Sequence, residues 1–327
     1  MKKKNIEILS TIGPSSLNVK MLNYFNNKVD IVRINLSHVT PDKLPNYIKY
    51  LKKNSTSTIC IDTEGAQIRT KIKKKIKLRK NQIYKFNKDM MPYLYPYEVF
   101  NKIKKNDLIS IGFDDLQVRV IKKNLNSFTV KVLNGGLIET NKGVVVLNRN
   151  LKLNFLTEND VRSIGIAKKF KIKCFALSFT NDENDVKKFK KILPNCRRIY
   201  KIESKLGLKN YKKIIKNGDE FLIDRGDLSK ETSIFEIPIN QRKIINEANK
   251  RKKKIYVATN FLETMIEKPY PTRAEVNDIY SSLEMGADGL VLAAETAIGN
   301  FPIECVLHLK KMIQIFKKKK SSFKKYG

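Results

Sequence analysis

Cysteine is scarce in this sequence, and long apolar runs are absent. Cys60, Cys174, Cys196 and Cys305 are scattered without a CxxC pair. This pattern favours neither disulfides nor a structural zinc site, so the cytoplasm is the expected compartment. No apolar run approaches the ~20 residues that a membrane span needs. The basic amino terminus lacks the small-residue cleavage site of a signal peptide, and we expect no membrane association.

Motifs of the common nucleotide-binding and nucleic-acid-binding folds are also missing. The sequence has no GxxxxGK[ST], no GxGxxG, no HRD and DFG pair, no RNP-like aromatic motif and no zinc-finger spacing. Acidic residues are few, with 32 against 66 basic ones and a net charge of +34. The positive electrostatic field of such a protein attracts nucleotides, phosphorylated metabolites, nucleic acid or acidic membranes. Because most lysines fall in short runs of a Lys-rich composition, a solvated surface is favoured over a nucleic-acid footprint.

Short β-branched runs recur along the chain, and segments with helical spacing, such as residues 302–316, separate them. The eight runs are residues 6–12, 30–36, 58–62, 173–179, 198–203, 220–224, 255–259 and 289–293. Alternating strands and helices indicate a parallel sheet, and eight such units indicate a closed barrel. The predicted fold class is therefore α/β, a (β/α)8 TIM barrel.

One interval interrupts this alternation after the third predicted strand. It contains short alternating runs, such as residues 117–121 and 127–132, and the turn residues Asn134, Gly135 and Gly136. The pattern is typical of antiparallel strands. We therefore predict a barrel domain of residues 1–70 and 149–327, with a small β-rich domain of residues 71–148 inserted into it.

Reactive side chains of such barrels gather where the strands end. Glu203 and Asp227 follow adjacent predicted strands and would make an oxygen site suited to Mg²⁺ or Mn²⁺. A second oxygen-rich group would suit a monovalent cation and comprises Asn35, Ser37, Asp62 and Thr63. Strand ends also carry Thr11, Ser178, Arg225 and Glu295.

Positive side chains near the same ends, those of Arg33, Arg69 and Lys201, could bind phosphate. A divalent metal beside converging cations is what phosphoryl transfer requires, because that chemistry depends on positioning and charge neutralisation. A single Asp or Arg at a strand end is more often part of a surface salt bridge. The interpretation therefore depends on the whole set and on the barrel assignment.

These residues lie in motifs that resemble the pyruvate kinase family, from Ile8 to about Val306. The ordered motifs are residues 10–16 (STIGPSS), 33–38 (RINLSH), 62–70 (DTEGAQIRT), Asp114-Asp115, Gly135-Gly136 with Lys142-Gly143, 201–203 (KIE), 225–228 (RGDL), 258–266 (ATNFLETMI), 269–275 (PYPTRAE) and 295–302 (ETAIGNFP). So many motifs in one order are specific to the family. The resemblance implies transfer of phosphate from phosphoenolpyruvate to ADP, giving pyruvate and ATP.

The resemblance also implies roles in catalysis and substrate binding. Lys201 would neutralise the phosphoryl group in flight and the developing enolate, and Arg33 would bind the transferring phosphate. The backbone at Gly226 and Asp227 would hold the substrate carboxylate. Thr259 would lie in the path that protonates the enolate.

Cofactor and nucleotide contacts are implied in the same way. Glu203 and Asp227 would hold Mg²⁺ or Mn²⁺, and the inserted domain would act as a lid over ADP. Asn35, Ser37, Asp62 and Thr63 would hold K⁺. Arg69, His38 and Lys142 would contact the nucleotide.

Several positions depart from the family pattern, among them Asp224, Gln67, Asn260 and Ala293. Asp224 replaces a small residue and adds a carboxylate near the expected metal, where it could repel substrate or recruit another cation. The alternatives are a divergent paralogue that acts on a different phosphorylated or 2-keto acid, and a weakly active binding protein. The family's C-terminal regulatory domain is expected to be absent, so a homo-oligomer would have to form through the barrel faces.

Overall fold

Strands and helices alternate on both sides of a β-rich segment in the computed structural model, which describes residues 5–112 and 116–323. The Asp114-Asp115 pair lies outside the described residues. The first part of the chain contains β1 (Glu7–Thr11), α1 (Val19–Phe25), β2 (Ile31–Asn35), α2 (Leu44–Asn54) and β3 (Thr58–Asp62).

The β-rich segment follows β3 directly. It contains β4 (Ile68–Lys71), β5 (Ile76–Leu78), β6 (Ile83–Asn87), β7 (Tyr93–Tyr95), α3 (Val99–Lys102), β8 (Leu108–Ile111), β9 (Leu116–Asn124), β10 (Ser127–Asn134), β11 (Gly136–Ile138) and β12 (Gly143–Val146).

The alternation then resumes and continues to the last described helix. Its elements are α4 (Glu158–Lys169), β13 (Cys174–Leu177), α5 (Glu183–Ile192), β14 (Arg197–Ile202), α6 (Lys205–Asn217), β15 (Glu220–Asp224), α7 (Arg225–Glu231), α8 (Ile237–Lys250), β16 (Lys254–Ala258), α9 (Arg273–Glu284), β17 (Gly289–Leu292), α10 (Ala294–Ala297) and α11 (Pro302–Phe323). Two short 3₁₀ helices cover Ile234–Glu236 and Glu263–Ile266.

Eight parallel strands form a closed barrel in the order β1-β17-β16-β15-β14-β13-β3-β2. This confirms the predicted (β/α)8 barrel with a β domain inserted after the third strand. The strands are buried almost throughout, which is why each reads as an apolar run. One buried cluster of barrel-strand side chains comprises Leu9, Ile31, Cys60, Cys174, Ala176, Ile199, Leu222, Tyr256, Ala258 and Val291.

Local sequence signals explain where several helices begin. Capping boxes open α5, with Asp182 and Asp185, and α9, with Thr272 and Glu275. Helix α11 runs to Phe323, beyond the predicted end at residue 316. The lysine run that follows Phe316 contains no glycine or proline, and lysine is a good helix former, so nothing in it stops the helix.

A polar network lies at the amino-terminal end of the barrel and joins strands that are not neighbours. Glu7 of β1 accepts hydrogen bonds from Arg197 of β14 and from the Tyr256 hydroxyl of β16, each at 2.6 Å. The other oxygen of Glu7 accepts a bond of 2.9 Å from Lys254. The Tyr256 oxygen also lies 2.9 Å from Glu220, so its single proton is shared between the two carboxylates. The network therefore ties opposite sides of the barrel together.

The chain divides into two compact units, one of which is Gly65–Glu158 and the other the residues on either side of it. The Gly65–Glu158 unit extends beyond both ends of the domain of residues 71–148 that the sequence predicts. At its beginning the reason is that β4 pairs with β7 and β12. Within the inserted unit, seven strands form an antiparallel sheet in the order β6-β10-β9-β8-β12-β4-β7. A separate hydrophobic cluster, which includes Phe86, Val118 and Phe128, forms its core.

The barrel unit holds the two points from which the insertion departs close together. The backbone N–H of Glu64 donates a hydrogen bond of 2.7 Å to Oδ1 of Asp160. Among residues 5–112 and 116–323, no helix is both long enough and apolar enough to cross a membrane.

Candidate functional site

The carboxyl ends of the barrel strands bring several of the predicted residues to one face. Arg33 lies on β2, Asp62 ends β3, Lys201 lies on β14 and Asp224 ends β15. Glu203 follows β14 directly. Because all eight strands are parallel, their carboxyl ends share one end of the barrel.

Asp62 is a shared anion for two buried cations. Its Oδ2 lies 3.1 Å from Nη1 of Arg33 and 3.3 Å from Nζ of Lys201. Its Oδ1 accepts a hydrogen bond of 3.1 Å from the Ser178 hydroxyl. Nε of Arg33 donates to the Thr11 hydroxyl at 2.9 Å. A buried charge is tolerated when it is paired and hydrogen-bonded, and both conditions are met here.

Lys201 is almost fully buried and is surrounded by oxygen atoms. Besides Asp62, its Nζ lies 3.1 Å from the Ser178 hydroxyl and 3.1 Å from Oε2 of Glu203, with Oδ2 of Asp224 at 3.7 Å. Burial alone would lower the pKa of Lys201, but the three carboxylates together raise this pKa well above its usual value. Lys201 is therefore a fixed positive charge and not a base.

Glu203 is completely buried, and its two oxygens differ in their surroundings. Oε1 accepts a hydrogen bond of 2.8 Å from the backbone N–H of Phe179, whose φ of 50° is in the left-handed region. Oε2 has no hydrogen-bond partner among the described residues, although Lys201 Nζ lies 3.1 Å away. Burial raises the pKa of Glu203; Lys201 opposes the rise, and Asp224 and Asp227 add to it.

Three carboxylates, of Glu203, Asp224 and Asp227, converge within the part of the chain that the structure describes. One oxygen from each lies within 4.8 Å of the others. Asp227 also forms an ion pair with Lys230. Burial would raise the pKa of Asp224, but Lys201 and the Thr259 hydroxyl outweigh burial and lower it. Carboxylate oxygens are the ligands that hard divalent cations prefer, so this donor set fits Mg²⁺ or Mn²⁺.

Thr259 is held beside this group in an unusual backbone conformation. Its φ is 79°, which a β-branched residue rarely adopts, and its hydroxyl donates to Oδ1 of Asp224 at 2.5 Å. Arg225 donates to the Thr259 carbonyl oxygen through Nη2, and its Nη1 forms an ion pair with both carboxylate oxygens of Asp278 at 2.8 and 2.6 Å. Gly226 is required here, because a Cβ atom on it would lie 2.7 Å from Cγ2 of Thr259.

The residues proposed for a monovalent cation are engaged with protein groups. Oδ1 of Asn35 accepts a hydrogen bond of 3.0 Å from the backbone N–H of Ser37. The Thr63 hydroxyl accepts a bond of 3.0 Å from the backbone N–H of Ser178. Asn35 and Asp62 are register partners on adjacent strands. The structure thus brings Asn35, Asp62 and Thr63 to one side of the barrel mouth.

The residues proposed for the nucleotide fall in different units. Arg69 and Lys142 belong to the inserted unit, where Arg69 donates to the Asn141 carbonyl at 3.2 Å and Lys142 pairs with Glu139 at 2.9 Å. His38 belongs to the barrel unit and is exposed.

The other positions that depart from the family pattern are also placed. Gln67, in the inserted unit, is buried, and its Oε1 has no hydrogen-bond partner among the described residues. Asn260 has a φ of 60° and donates to Glu263 at 2.6 Å. The backbone N–H of Ala293 donates to Glu295 at 2.7 Å.

Four groups join the site without having been singled out from the sequence. Thr11 and Ser178 were placed at strand ends without a role, and each hydrogen-bonds a buried cation. The backbone N–H of Phe179 donates a hydrogen bond to Glu203, and Lys230 forms an ion pair with Asp227. Hydroxyls at the ends of β1 and β13 were the available signal for the first two, whereas the Phe179 contact depends on a backbone angle that its residue type disfavours.

Comparison with known proteins gives concordant results. A family model described as pyruvate kinase, barrel domain, matches residues 3–306. A pyruvate kinase of Methanocaldococcus jannaschii is 35% identical over 319 residues, covering 95% of this chain and 69% of that protein. One of Thermotoga maritima is 32% identical over 339 residues, covering 98% and 73%. One of Aeropyrum pernix is 32% identical over 322 residues, covering 94% and 70%.

Proposed function

The chain belongs to the pyruvate kinase family and is a phosphotransferase, and we propose that it transfers the phosphoryl group of phosphoenolpyruvate to ADP, giving pyruvate and ATP. One observation carries the proposal. Two buried cations, Arg33 and Lys201, converge on one oxygen of Asp62 at 3.1 and 3.3 Å. A fixed pair of positive charges in a desolvated setting is suited to a phosphoryl group in transfer.

Arg33 and Lys201 have complementary roles in this proposal. The planar guanidinium of Arg33 binds the transferring phosphate, while the ammonium of Lys201 neutralises charge on the phosphoryl group and on the enolate that forms. Both groups are held in place by neighbours, Arg33 by Thr11 and Lys201 by Ser178. Pre-positioned charges of this kind need little reorganisation during the reaction.

Glu203 and Asp227 are the residues that we propose to hold Mg²⁺ or Mn²⁺. The buried Oε2 of Glu203 supports this assignment. It makes no hydrogen bond, and its ion-pair partner at 3.1 Å, the Lys201 ammonium, is shared with Asp62 and Ser178, so a metal cation would complete its surroundings. When bound, the metal would neutralise the developing charge on the phosphoryl and enol oxygens.

Thr259 is our proposed donor of the proton that converts the enolate to pyruvate. The enolate carbon would take the hydroxyl proton of Thr259, and that hydroxyl would regain a proton from solvent. In the structure the Thr259 O–H is directed to Asp224, so it must turn from this carboxylate to reach the substrate. Gly226 gives Thr259 the room that it occupies.

Two further assignments rest on the family resemblance, and a third rests on the cysteines. We propose K⁺ as the monovalent cation, with Asn35, Ser37, Asp62 and Thr63 as its ligands. Nucleotide contacts are assigned to Arg69, His38 and Lys142. The four free cysteines agree with the reducing cytoplasm as the compartment.

A second candidate is a paralogue that acts on another phosphorylated or 2-keto acid. The observation that favours it is that Asp224 accepts a hydrogen bond of 3.5 Å from the backbone N–H of Asp227. This N–H belongs to the backbone that the resemblance assigns to the substrate carboxylate. A resident carboxylate there would weaken binding of a substrate carboxylate by repulsion, and so favours an alternative acid that places its carboxylate away from this N–H.

A coupled assay with phosphoenolpyruvate, ADP, Mg²⁺ and varied K⁺ tests the two candidates. We expect turnover by the unaltered protein and a loss of about 10²–10³-fold in kcat for Lys201→Ala. Absence of turnover by both the unaltered protein and Asp224→Ala would contradict the leading proposal. Turnover that appears only in Asp224→Ala would favour the paralogue.

A further inference from the structure

Asp224 has one oxygen in use and another only weakly engaged. Its Oδ1 accepts the Thr259 hydroxyl at 2.5 Å and the Asp227 N–H at 3.5 Å. Its Oδ2 lies 3.7 Å from Nζ of Lys201, beyond hydrogen-bonding distance, and Lys201 is closer to Asp62, Ser178 and Glu203. The second oxygen is therefore able to accept another partner.

The charges around Asp224 do not balance. Besides the pair of Arg225 and Asp278, which is neutral by itself, the ion-paired groups around Asp224 among the described residues are the cations Arg33, Lys201 and Lys230 and the carboxylates Asp62, Glu203, Asp224 and Asp227. With Glu203 in the ionised form that binds a cation, these seven groups together carry one net negative charge. With a small residue in place of Asp224 they would be neutral, so the excess charge belongs to this position. A buried excess charge is costly unless a counter-ion compensates it.

Glu203 provides independent evidence that a ligand belongs here. Its side chain is completely buried, and Oε2 makes no hydrogen bond among the described residues; its ion-pair partner is the Lys201 ammonium at 3.1 Å, which Asp62 and Ser178 also contact. One oxygen each of Glu203, Asp224 and Asp227 lies within 4.8 Å of the others, which a shared cation can span. A buried carboxylate oxygen without a hydrogen bond thus lies in the same group that carries the excess negative charge.

We propose that Asp224 is a third carboxylate ligand of the divalent cation, alongside Glu203 and Asp227. This inference rests on the proposed function, because it concerns the same metal. The third carboxylate raises the affinity of the site for the cation, since affinity increases with the charge of the ligand set. Because Oδ1 of Asp224 also accepts the Thr259 hydroxyl, the cation and this hydroxyl share one carboxylate until the hydroxyl turns to the substrate.

A purely structural role for Asp224 makes a different prediction. Asp224 is the N-cap of α7 through its Oδ1, and asparagine caps helices as well as aspartate does. Asp224→Asn keeps an oxygen for the Thr259 hydroxyl and for the Asp227 N–H and removes only the charge. Asp224→Ser caps the helix with a neutral hydroxyl and is the second variant.

The deciding measurement is the dissociation constant of Mn²⁺, obtained by electron paramagnetic resonance or calorimetry on the full chain without substrate or nucleotide. We expect Asp224→Asn and Asp224→Ser to raise this constant by about tenfold or more, as Glu203→Gln should. Asp219→Asn is the control and should leave it unchanged, because Asp219 pairs with Arg198 and Lys190 outside the site.

The possible failures are distinguishable. If Glu203→Gln weakens Mn²⁺ binding while Asp224→Asn and Asp224→Ser do not, Asp224 is only a cap, and the inference is overturned while the proposed metal site stands. If all three variants bind Mn²⁺ as tightly as the unaltered protein, the inference and the proposed metal site both fail. Failure of the phosphotransfer reaction would appear separately, as absence of turnover with phosphoenolpyruvate and ADP.

Discussion

At the scale of single residues, the surroundings of Glu203 disfavour the ionised form of its carboxyl group. It is completely buried, and burial together with Asp224 and Asp227 raises its pKa above its usual 4.5 despite the nearby Lys201. The unfolded chain therefore releases the Glu203 proton at a lower pH than the folded chain does. Stability of the metal-free protein should fall as the pH rises from 4.5 towards this raised pKa.

Glu203→Gln should remove that pH dependence. In metal-free protein at about pH 8, we expect the variant to be more stable than the unaltered protein by about 1–3 kcal/mol, with the difference vanishing below pH 4.5. Denaturant unfolding across this pH range measures the effect. The exposed Glu267→Gln is the control and should change nothing. Equal pH profiles for Glu203→Gln and the unaltered protein would show that Glu203 has an ordinary pKa.

Gly226 and Gly165 offer a matched pair of substitutions. A Cβ on Gly226 would lie 2.7 Å from Cγ2 of Thr259, so Gly226→Ala should displace Thr259 and lower kcat by roughly 100-fold. Gly165 lies on the exposed side of α4 with no atom within 4 Å of its Cβ position. Gly165→Ala should keep activity and add about 1 kcal/mol of stability.

Steady-state kinetics and thermal unfolding of both glycine variants decide the matter. If Gly226→Ala retained full kcat, Thr259 would either tolerate displacement or have no part in the reaction.

The sequence predicted which residues lie at the strand ends, but not how their side chains pair. Arg33, Asp62 and Lys201 could be assigned to one face because the carboxyl ends of parallel barrel strands share one end of the barrel. That Asp62 serves both cations depends on side-chain directions, which a strand assignment does not give. The left-handed backbone of Thr259 was also beyond prediction, since threonine disfavours it.

At the scale of elements, Glu7 joins three strands at the amino-terminal end of the barrel. Burial would raise the pKa of Glu7, but Tyr256, Arg197 and Lys254 outweigh burial and lower it. Its contribution to stability is therefore present above the usual pKa of 4.5 and is lost as the pH falls through the lowered value.

Glu7→Gln should lower the free energy of unfolding by about 2 kcal/mol at neutral pH, because it leaves Arg197 with one carboxylate fewer. The free energies of unfolding of Glu7→Gln and of the unaltered protein should become equal as the pH falls through the lowered pKa of Glu7. Asp42→Asn breaks an exposed ion pair with Arg162 and should cost less than about 0.5 kcal/mol. Urea unfolding of the three proteins between pH 3 and 7 makes the comparison; equal losses for Glu7→Gln and Asp42→Asn would contradict it.

Element positions were predictable where burial dominates. All eight barrel strands overlap the runs read from the sequence, because each strand is buried on both faces and so is apolar along its length. Helix ends were less predictable, as α11 shows, because a lysine run suits both solvent and helix.

At the scale of the whole molecule, the inserted unit has its own core. Phe86, Val118 and Phe128 are buried in a cluster made entirely of residues from Gly65–Glu158. A unit with its own core is expected to fold alone. We therefore expect the isolated segment 65–158 to give a β-rich circular dichroism spectrum and cooperative thermal unfolding.

Phe128→Ala is the control within that segment. Removing a buried aromatic ring should cost about 3–5 kcal/mol and unfold or severely destabilise the isolated unit. A random-coil spectrum for the unaltered segment would show that its core is insufficient by itself.

The hydrogen bond between Glu64 and Asp160 has an entropic consequence. It fixes the two ends of the insertion, so that in the chain entropy of the barrel the whole inserted unit counts as a single closed loop. Closing a flexible loop of roughly ninety residues instead of roughly five costs only about 2–3 kcal/mol, because the cost grows with the logarithm of length. The entropic cost of an unfolded insertion is therefore too small by itself to unfold the barrel. Destabilising mutations in one unit would then lower the free energy of unfolding of that unit and not of the other.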